Sequence, residues 1–221
     1  MAKLHLDPQR LPVDAIAGEA ALPPGRLDAA WLRARLAHPA PWEPELPEDL
    51  RERFASLRRA AVLIPLVERP EGLTVLLTQR TAHLSNHGGQ VSFPGGRAED
   101  EDSSPIETAL RETEEEIGLH RRHVEIVGVL PDHVTASAYV VTPVIGLVKP
   151  PFELVAESNE VEEIFEVPLA FLMDGMHHQR MSFDLPDGSG RRSFYAMPYG
   201  RFFIWGATAG MLRNLFHLLR A

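Results

Sequence analysis

Four residues in the middle of the 221-residue chain are spaced for chemistry rather than for folding: Arg111, Glu112, Glu115 and Glu116. On a helix turning about 100° per residue, the three glutamates share one face, because positions i, i+3 and i+4 are neighbours. Like charges so placed cost roughly a few tenths of a kcal/mol per pair, and the C-terminal half of a helix is the wrong end for negative charge. One use for such a face is a hard divalent cation, since Mg²⁺ takes oxygen ligands from carboxylates and substrate phosphates. Bound metal polarises phosphorus and lowers the pKa of a water nucleophile. Arg111, four residues before Glu115, is placed to pin a carboxylate in position. A plain solvated acidic face fits the spacing equally well, and for Glu107 and Glu114 it is the reading that applies.

The elements that must position these residues are legible around them. Ser104 is a natural N-cap, Pro105 suits the first helical position, Glu107 completes a capping box, and Gly118 supplies the stop. This predicts a helix over 105–117, with Ile106, Ala109, Leu110, Thr113 and Ile117 as the stripe that packs on a sheet. The runs 59–67, 73–78, 124–130 and 140–148 read as strands, and 91–93 as a short apolar run between glycine pairs. Residues 27–36 predict a short helix with Leu27, Ala30, Trp31 and Ala34 on its apolar face. Four prolines in 38–49 exclude a regular helix there. A hairpin around Pro186-Asp187-Gly188 and a final helix over 207–219, with Met211, Leu212, Leu215, Leu218 and Leu219 inward, complete the pattern. Strands and helices without regular βαβ alternation predict an α/β sandwich with a mixed β-sheet. Residues 1–55 read as an N-terminal extension and 56–221 as the main domain, which carries the glutamate face.

Charge and composition narrow the partners. The net charge of −9, without a local basic cluster, disfavours a nucleic-acid backbone, whereas a small anionic substrate bridged by metal is compatible with it. No apolar stretch approaches 18 residues, so no membrane-spanning helix is expected. Without cysteine there are no disulfides or thiolate ligands. The first residues lack the layout of a secretory signal, and a cytoplasmic protein is the default expectation.

The stretch Gly95 to Leu119, GGRAEDEDSSPIETALRETEEEIGL, resembles the Nudix box, G-x5-E-x7-R-E-U-x-E-E-x-G-U. Gly96 fits its glycine, Arg111-Glu112 its R-E pair, Glu115-Glu116 its E-E pair and Gly118-Leu119 its ending. The segment from Gly96 to Arg111 is one residue longer than usual, Asp102 stands at the usual glutamate position, and Thr113 replaces an aliphatic residue. A second stretch, LLTQRTAHLSNHGGQVSFPGG over 76–96, resembles the L-L-T-x-R…G-x3-F-P-G-G element of the coenzyme A pyrophosphatase subgroup. Leu76, Leu77, Thr78, Arg80, Gly89, Phe93, Pro94, Gly95 and Gly96 match; Thr81 and Ser85 depart from it. The runs 140–148, 160–169 and 204–209 also look like this subgroup.

The resemblance implies a Nudix-type α/β/α sandwich around a mixed sheet and hydrolysis of coenzyme A to 3′,5′-ADP and 4′-phosphopantetheine with Mg²⁺ or Mn²⁺. It implies Glu112 and Glu116 as principal metal ligands, Glu115 as a further ligand or water-positioning group, the Gly95 carbonyl as an additional ligand, and Arg111 as orienter. Arg80, Gly89, Phe93 and Gly96 are the substrate-binding candidates. Glu160 is the outside candidate for general base, followed by Glu157, Glu162 and Glu163, against the plainer reading of an acidic loop. A Nudix hydrolase of ADP-ribose or a dinucleotide, and a non-catalytic nucleotide-binding module, stand as alternatives. His83, His87 and the polar stretch of His133, Thr135, Ser137 and Tyr139 are weaker pocket candidates, and His177-His178 has no third ligand at zinc spacing.

Overall fold

The structure is a computed structural model and describes residues 7–45, 56–84, 87–185, 188 and 190–221. Ser85 and the tip of the hairpin at Pro186 and Asp187 lie outside the described residues, as do 46–49 of the proline-rich stretch. In chain order the elements are β1 (Val13–Ile16), α1 (Ala29–Ala37), β2 (Arg58–Arg69), β3 (Gly72–Arg80), β4 (Val91–Ser92), β5 (Gly95–Arg97) and α2 (Pro105–Ile117). There follow β6 (Val124–Val129), β7 (His133–Val134), β8 (Tyr139–Val148), β9 (Val161–Pro168), α3 (Leu169–Leu172), β10 (Gln179–Asp184), β11 (Arg191–Tyr199), β12 (Phe202–Trp205) and α4 (Gly206–Arg220).

The main sheet runs β4-β3-β2-β8-β6, with β9 also on β3, β5 on β2 and β7 on β8. It is mixed: β2 and β8 are parallel from Arg58↔Tyr139 to Val67↔Val148, and the other pairings are antiparallel. Strand alternation splits its side chains between two cores. Ala61, Leu63, Val67, Leu76, Val144 and Val148 meet Ala109 and Ile117 of α2. Ile64, Leu66, Val75, Leu77, Ile145 and Leu147 face the other way, into a larger core shared with α1, α3, α4 and the second sheet. That second sheet, β1-β10-β11-β12, is antiparallel. The result is an α/β sandwich built on a mixed sheet, as the sequence pattern predicts.

The 105–117 helix has its predicted bounds, and Ser104 caps it through a bond from the Glu107 amide (3.3 Å). Glu107 itself turns its carboxylate to Arg121 (2.8 Å). The C-terminal stripe of α4 is inward, with Met211, Leu212, Leu215, Leu218 and Leu219 all buried.

Two expectations are corrected. In α1 the cap is Asp28, which accepts from the Trp31 amide at 2.8 Å, so Leu27 precedes the helix. Ala30 and Ala34 are exposed, while Leu32 is fully buried and Leu36 packs beside it: the larger side chains take the core face. The acidic stretch after Glu160 is a strand rather than a loop. Its charges are explained by pairing, Glu163 with Arg201 and Glu166 with Arg69 and Thr74, as suits a strand at a sheet edge. Residues 7–45 are woven into the rest of the fold: β1 pairs β10, and Leu22, Leu27 and Leu32 belong to the larger core. Among the described residues no helix is long and apolar enough to cross a membrane.

Candidate active site

The segment β5 carries Gly95 and Gly96 between the sheet and α2. Gly95 pairs Val62 of β2 at φ +144°; a Cβ there would sit 2.5 Å from the Val62 Cα and equally close to the Ala61 carbonyl, so only glycine fits. At Gly96 the obstruction is different. A Cβ would stand 2.6 Å from the carboxyl carbon of Glu112, so the missing side chain is the space that the Glu112 carboxylate occupies.

Arg111 organises one half of the site. Its Nε and Nη2 donate to the two oxygens of Asp102, both at 2.9 Å, and Nη2 also reaches the Arg97 carbonyl (3.1 Å). Its Nη1 donates to Glu112 Oε1 at 3.0 Å and Glu115 Oε2 at 3.2 Å. Hydrogen bonds to charged groups contribute about 1.5–3 kcal/mol each, more than the glutamate repulsion on the helix face, so this fork holds the cluster in place. Asp102, which the sequence showed only as a departure, also accepts from Thr108 Oγ1 and the Glu99 amide, both at 2.9 Å. The Arg111 guanidinium first, then those two donors, hold its carboxyl well below the usual range against the cost of burial. The signal for finding it was its place in the box.

Glu116 organises the other half. Its side chain is 5% exposed, with Oε2 accepting from the Gly95 amide at 3.0 Å and Oε1 from Arg80 Nη1 at 3.3 Å. Burial pushes its pKa up to about 7, despite these two donors. Arg80 also reaches Glu160 through Nη2 at 3.6 Å, so one guanidinium bridges Glu116 and Glu160. The charge of Glu160 adds to the upward push on both Glu112 and Glu116, and burial is the main cause at Glu112 too.

The structure thus gathers Arg80, Gly95, Gly96, Asp102, Arg111, Glu112, Glu115, Glu116 and Glu160. The other acidic candidates are engaged elsewhere. Glu157 accepts from the Asn159 and Glu160 amides in a turn, Glu163 pairs Arg201, and Glu162 is exposed on β9. Phe93 is 2% exposed and belongs to the larger core, so its ring offers a ligand no surface here. Gly89 (φ +74°) closes the turn after β3, its amide on the Arg80 carbonyl at 3.0 Å. His87 bonds Gln90 (2.9 Å), and Thr135 and Ser137 bond each other (3.1 Å) within their loop. His178 is buried between the Leu172 carbonyl and Arg213, which leaves it unable to ligate zinc.

Among the described residues no three carboxylate or imidazole groups already converge on one point suited to a cation; Glu112 and Glu116 point at Arg111, Arg80 and Gly95 instead. The donor set nonetheless fits a hard divalent ion. It is all oxygen, it includes a buried carboxylate whose charge its neighbours compensate only in part, and Gly96 leaves room for the Glu112 carboxylate to turn.

Residues 57–183 match the family model described as the NUDIX domain. The chain belongs to the Nudix family of hydrolases, which act on nucleoside diphosphate derivatives and generally use divalent metal ions such as Mg²⁺ or Mn²⁺. It is 44% identical over 160 residues to a protein of Escherichia coli K12 named uncharacterized Nudix hydrolase NudL, covering 72% of this chain and 81% of the relative. The NudL of Shigella boydii is 45% identical over the same shares. Solved structures that resemble it include the Nudix hydrolase RenU of M. smegmatis (29% identity, 52% of this chain and 73% of that one, TM-score 0.42). The NUDIX domain of Shewanella oneidensis NrtR complexed with ADP ribose is another (20% identity, 62% and 82%, TM-score 0.41).

Proposed function

We propose that the chain hydrolyses the diphosphate linkage of coenzyme A or its acyl derivatives, giving 3′,5′-ADP and 4′-phosphopantetheine or its acyl form. The observation that carries this is the double contact of Arg80 with Glu116 and Glu160. It joins the 76–96 element, which resembles the coenzyme A subgroup, to the helix that bears the Nudix carboxylates.

In this reading Glu112 and Glu116 hold the divalent ion, with Glu115 and the Gly95 carbonyl as further ligands. The ion supplies charge neutralisation of the diphosphate and a more acidic water. Arg111 acts by orientation: anchored on Asp102 and the Arg97 carbonyl, it fixes Glu112 and Glu115. Arg80 moves from carboxylates to substrate phosphate, for which a guanidinium fork is suited. That releases Glu160, half exposed at the site's edge, to accept the proton of the attacking water at its carboxylate oxygen.

The test is chromatography of products from coenzyme A, ADP-ribose and NADH incubated with the protein and Mg²⁺, with Glu116→Gln as control. Metal-dependent release of 3′,5′-ADP from coenzyme A, lost in the variant, is the expected result. Cleavage of the other two alone would replace the substrate and keep the chemistry. No cleavage of any would overturn the enzymatic reading.

A further inference from the structure

A cleft of about 320 Å³ lies away from the carboxylates, on the other side of β3. That is the low end of the range for small-molecule sites, roughly 300–1,000 Å³. Its walls include Gln79, Gly89, Gln90, Phe202, Phe203 and Trp205, and Asp7 also lines it. The geometry points to a nucleobase subsite, one that takes the adenine of a diphosphate substrate whose phosphates sit at Arg80. The proposal rests on the substrate carrying an adenosine diphosphate half, and so holds for coenzyme A and ADP-ribose alike.

Position is the first argument. Along β3, Leu76 faces the α2 core and Leu77 the opposite core, so alternation puts Gln79 on the Leu77 side, while Arg80, past an irregularity in the pairing with β9, reaches Glu116 of α2. The two side chains stand back to back at the end of one strand, about 3.3 Å apart along it. A ligand passing from Arg80 to Gln79 must cross the turn that Gly89 closes. There a Cβ on Gly89 would meet nothing within 4 Å, so the saddle between the two sites is open.

Chemistry is the second. Phe203 and Trp205 alternate with Phe202 and Ile204 on β12, and Phe202 is already taken by a parallel stack on Phe165 with ring centroids 3.5 Å apart. Trp205 meets Phe194 only edge-on, at 5.4 Å, and among the described residues no ring stacks on Phe203. Both are partly exposed, so they offer aromatic faces of the kind on which bases stack. Gln79 Nε2 already donates to the Gly89 carbonyl (3.5 Å) and Gln90 Oε1 bonds His87 (2.9 Å), which leaves the acceptor of Gln79 and the donors of Gln90 for a purine edge. The charges at the rim are already paired, Asp7 with Arg10 at 3.0 Å and Arg201 with Glu163. A neutral planar group therefore fits better than a phosphate.

The experiment is calorimetric titration of AMP, and separately of 4′-phosphopantetheine, into the full chain in chelator. Wild type is compared with Phe203→Ala and with Gln79→Ala, both partly buried positions; thermal melts establish that each variant folds. The expected result is AMP binding weakened roughly tenfold by Phe203→Ala, the scale of a lost base stack, and several-fold by Gln79→Ala, with 4′-phosphopantetheine unaffected. Unchanged AMP affinity in both variants, no AMP binding by wild type, or loss confined to 4′-phosphopantetheine would overturn the subsite. Weakened AMP binding in a protein that leaves coenzyme A intact would retain the subsite and discard only the coenzyme A reading.

Discussion

Arg111 and Asp102 meet in a two-point contact, Nε to Oδ1 and Nη2 to Oδ2, each 2.9 Å. The aspartate lies nine residues before the arginine, across the loop that enters α2, so the contact fixes loop and helix together. With that end of the guanidinium anchored, Nη1 is aimed at Glu112 and Glu115.

Asp102→Ala should therefore cost both stability and turnover. The loss is about 1.5–3 kcal/mol for charge-assisted hydrogen bonds, with turnover down roughly tenfold or more as the carboxylates loosen, while Asp102→Glu restores most of it. Because the folded-state pKa of Asp102 is depressed, its stabilisation is present above the ordinary carboxylate range and disappears as pH falls below it. Urea unfolding between pH 3 and 7, roughly the span over which carboxylates protonate, should show a smaller acid loss in the alanine variant; parallel curves would contradict the account.

Glu116→Gln should separate stability from activity. Burial makes this carboxylate costly, pushing its pKa to about 7, so in chelator at pH 8 the variant should melt at or above the wild-type temperature. Added Mn²⁺ should raise the wild-type melting temperature and leave the variant unmoved, by linkage. An equal metal-induced rise in both proteins would remove Glu116 from the ligand set.

The two adjacent glycines should fail in different ways. Gly95→Ala collides with the β2 backbone at a left-handed φ and should lower the melting temperature by several degrees or prevent folding. Gly96→Ala meets only the Glu112 side chain, which can move, so the fold should persist while turnover falls about 100-fold. Comparable losses of stability in the two variants would be the contrary result.

Two buried histidines should make the protein acid-sensitive. Burial lowers both His133 and His178 to about 4, while the unfolded chain titrates near 6.5. Between those values the unfolded state holds protons that the folded state lacks, so stability falls as pH drops from about 6.5 towards 4. His133 has a buried Nδ1 without a hydrogen-bond partner; His133→Leu should flatten the slope by about one proton, as read from urea midpoints. An unchanged slope would mean that His133 is not buried neutral.

Arg213 is the node on which the first described segment is fastened. It is 4% exposed and pairs Glu19 (2.8 Å) and Glu45 (3.2 Å). Arg213→Ala should cost roughly 1–3 kcal/mol, because Glu19 loses its partner while Glu45, more than a third exposed, keeps Tyr195 and His217. Hydrogen bonds from Arg213 hold Glu19 at about 2; at Glu45 burial pulls upward but His217, Tyr195 and Arg213 outweigh it, again to about 2. Both contributions are present above the ordinary carboxylate pKa and are lost as pH falls towards 2. Denaturation of the variant at neutral pH with no loss of stability would show that the node is dispensable.

How legible all this was depends on how local the signal is. The α2 helix could be read to the residue because its cap, its stop and its stripe all lie within the segment. The glutamate face was legible as an oddity for the same reason, since i, i+3 and i+4 neighbours need no tertiary knowledge. Asp102 and Arg80 were visible as positions in a pattern, but their partners lie 9 and 36 residues away, and no local rule specifies such contacts. The strand β9 was missed because Glu162, Glu163 and Glu166 hide its alternation; two of those charges are matched by arginines from other elements. The burial of Glu116 was equally hidden, because a carboxylate faces a sheet only when something beyond the helix gives it reason to.

The Glu19–Arg213 contact spans 194 residues, and β1 pairs a strand that begins at Gln179. On the ribosome, then, Glu19 must wait for 194 further residues before Arg213 emerges. A chain stalled before α4 would leave Glu19 without Arg213 and the core around Leu22, Leu27 and Leu32 without the side chains that α4 adds to it. The threading of the chain thus defers the fastening of the 7–45 segment until a strand and a helix far downstream have been made.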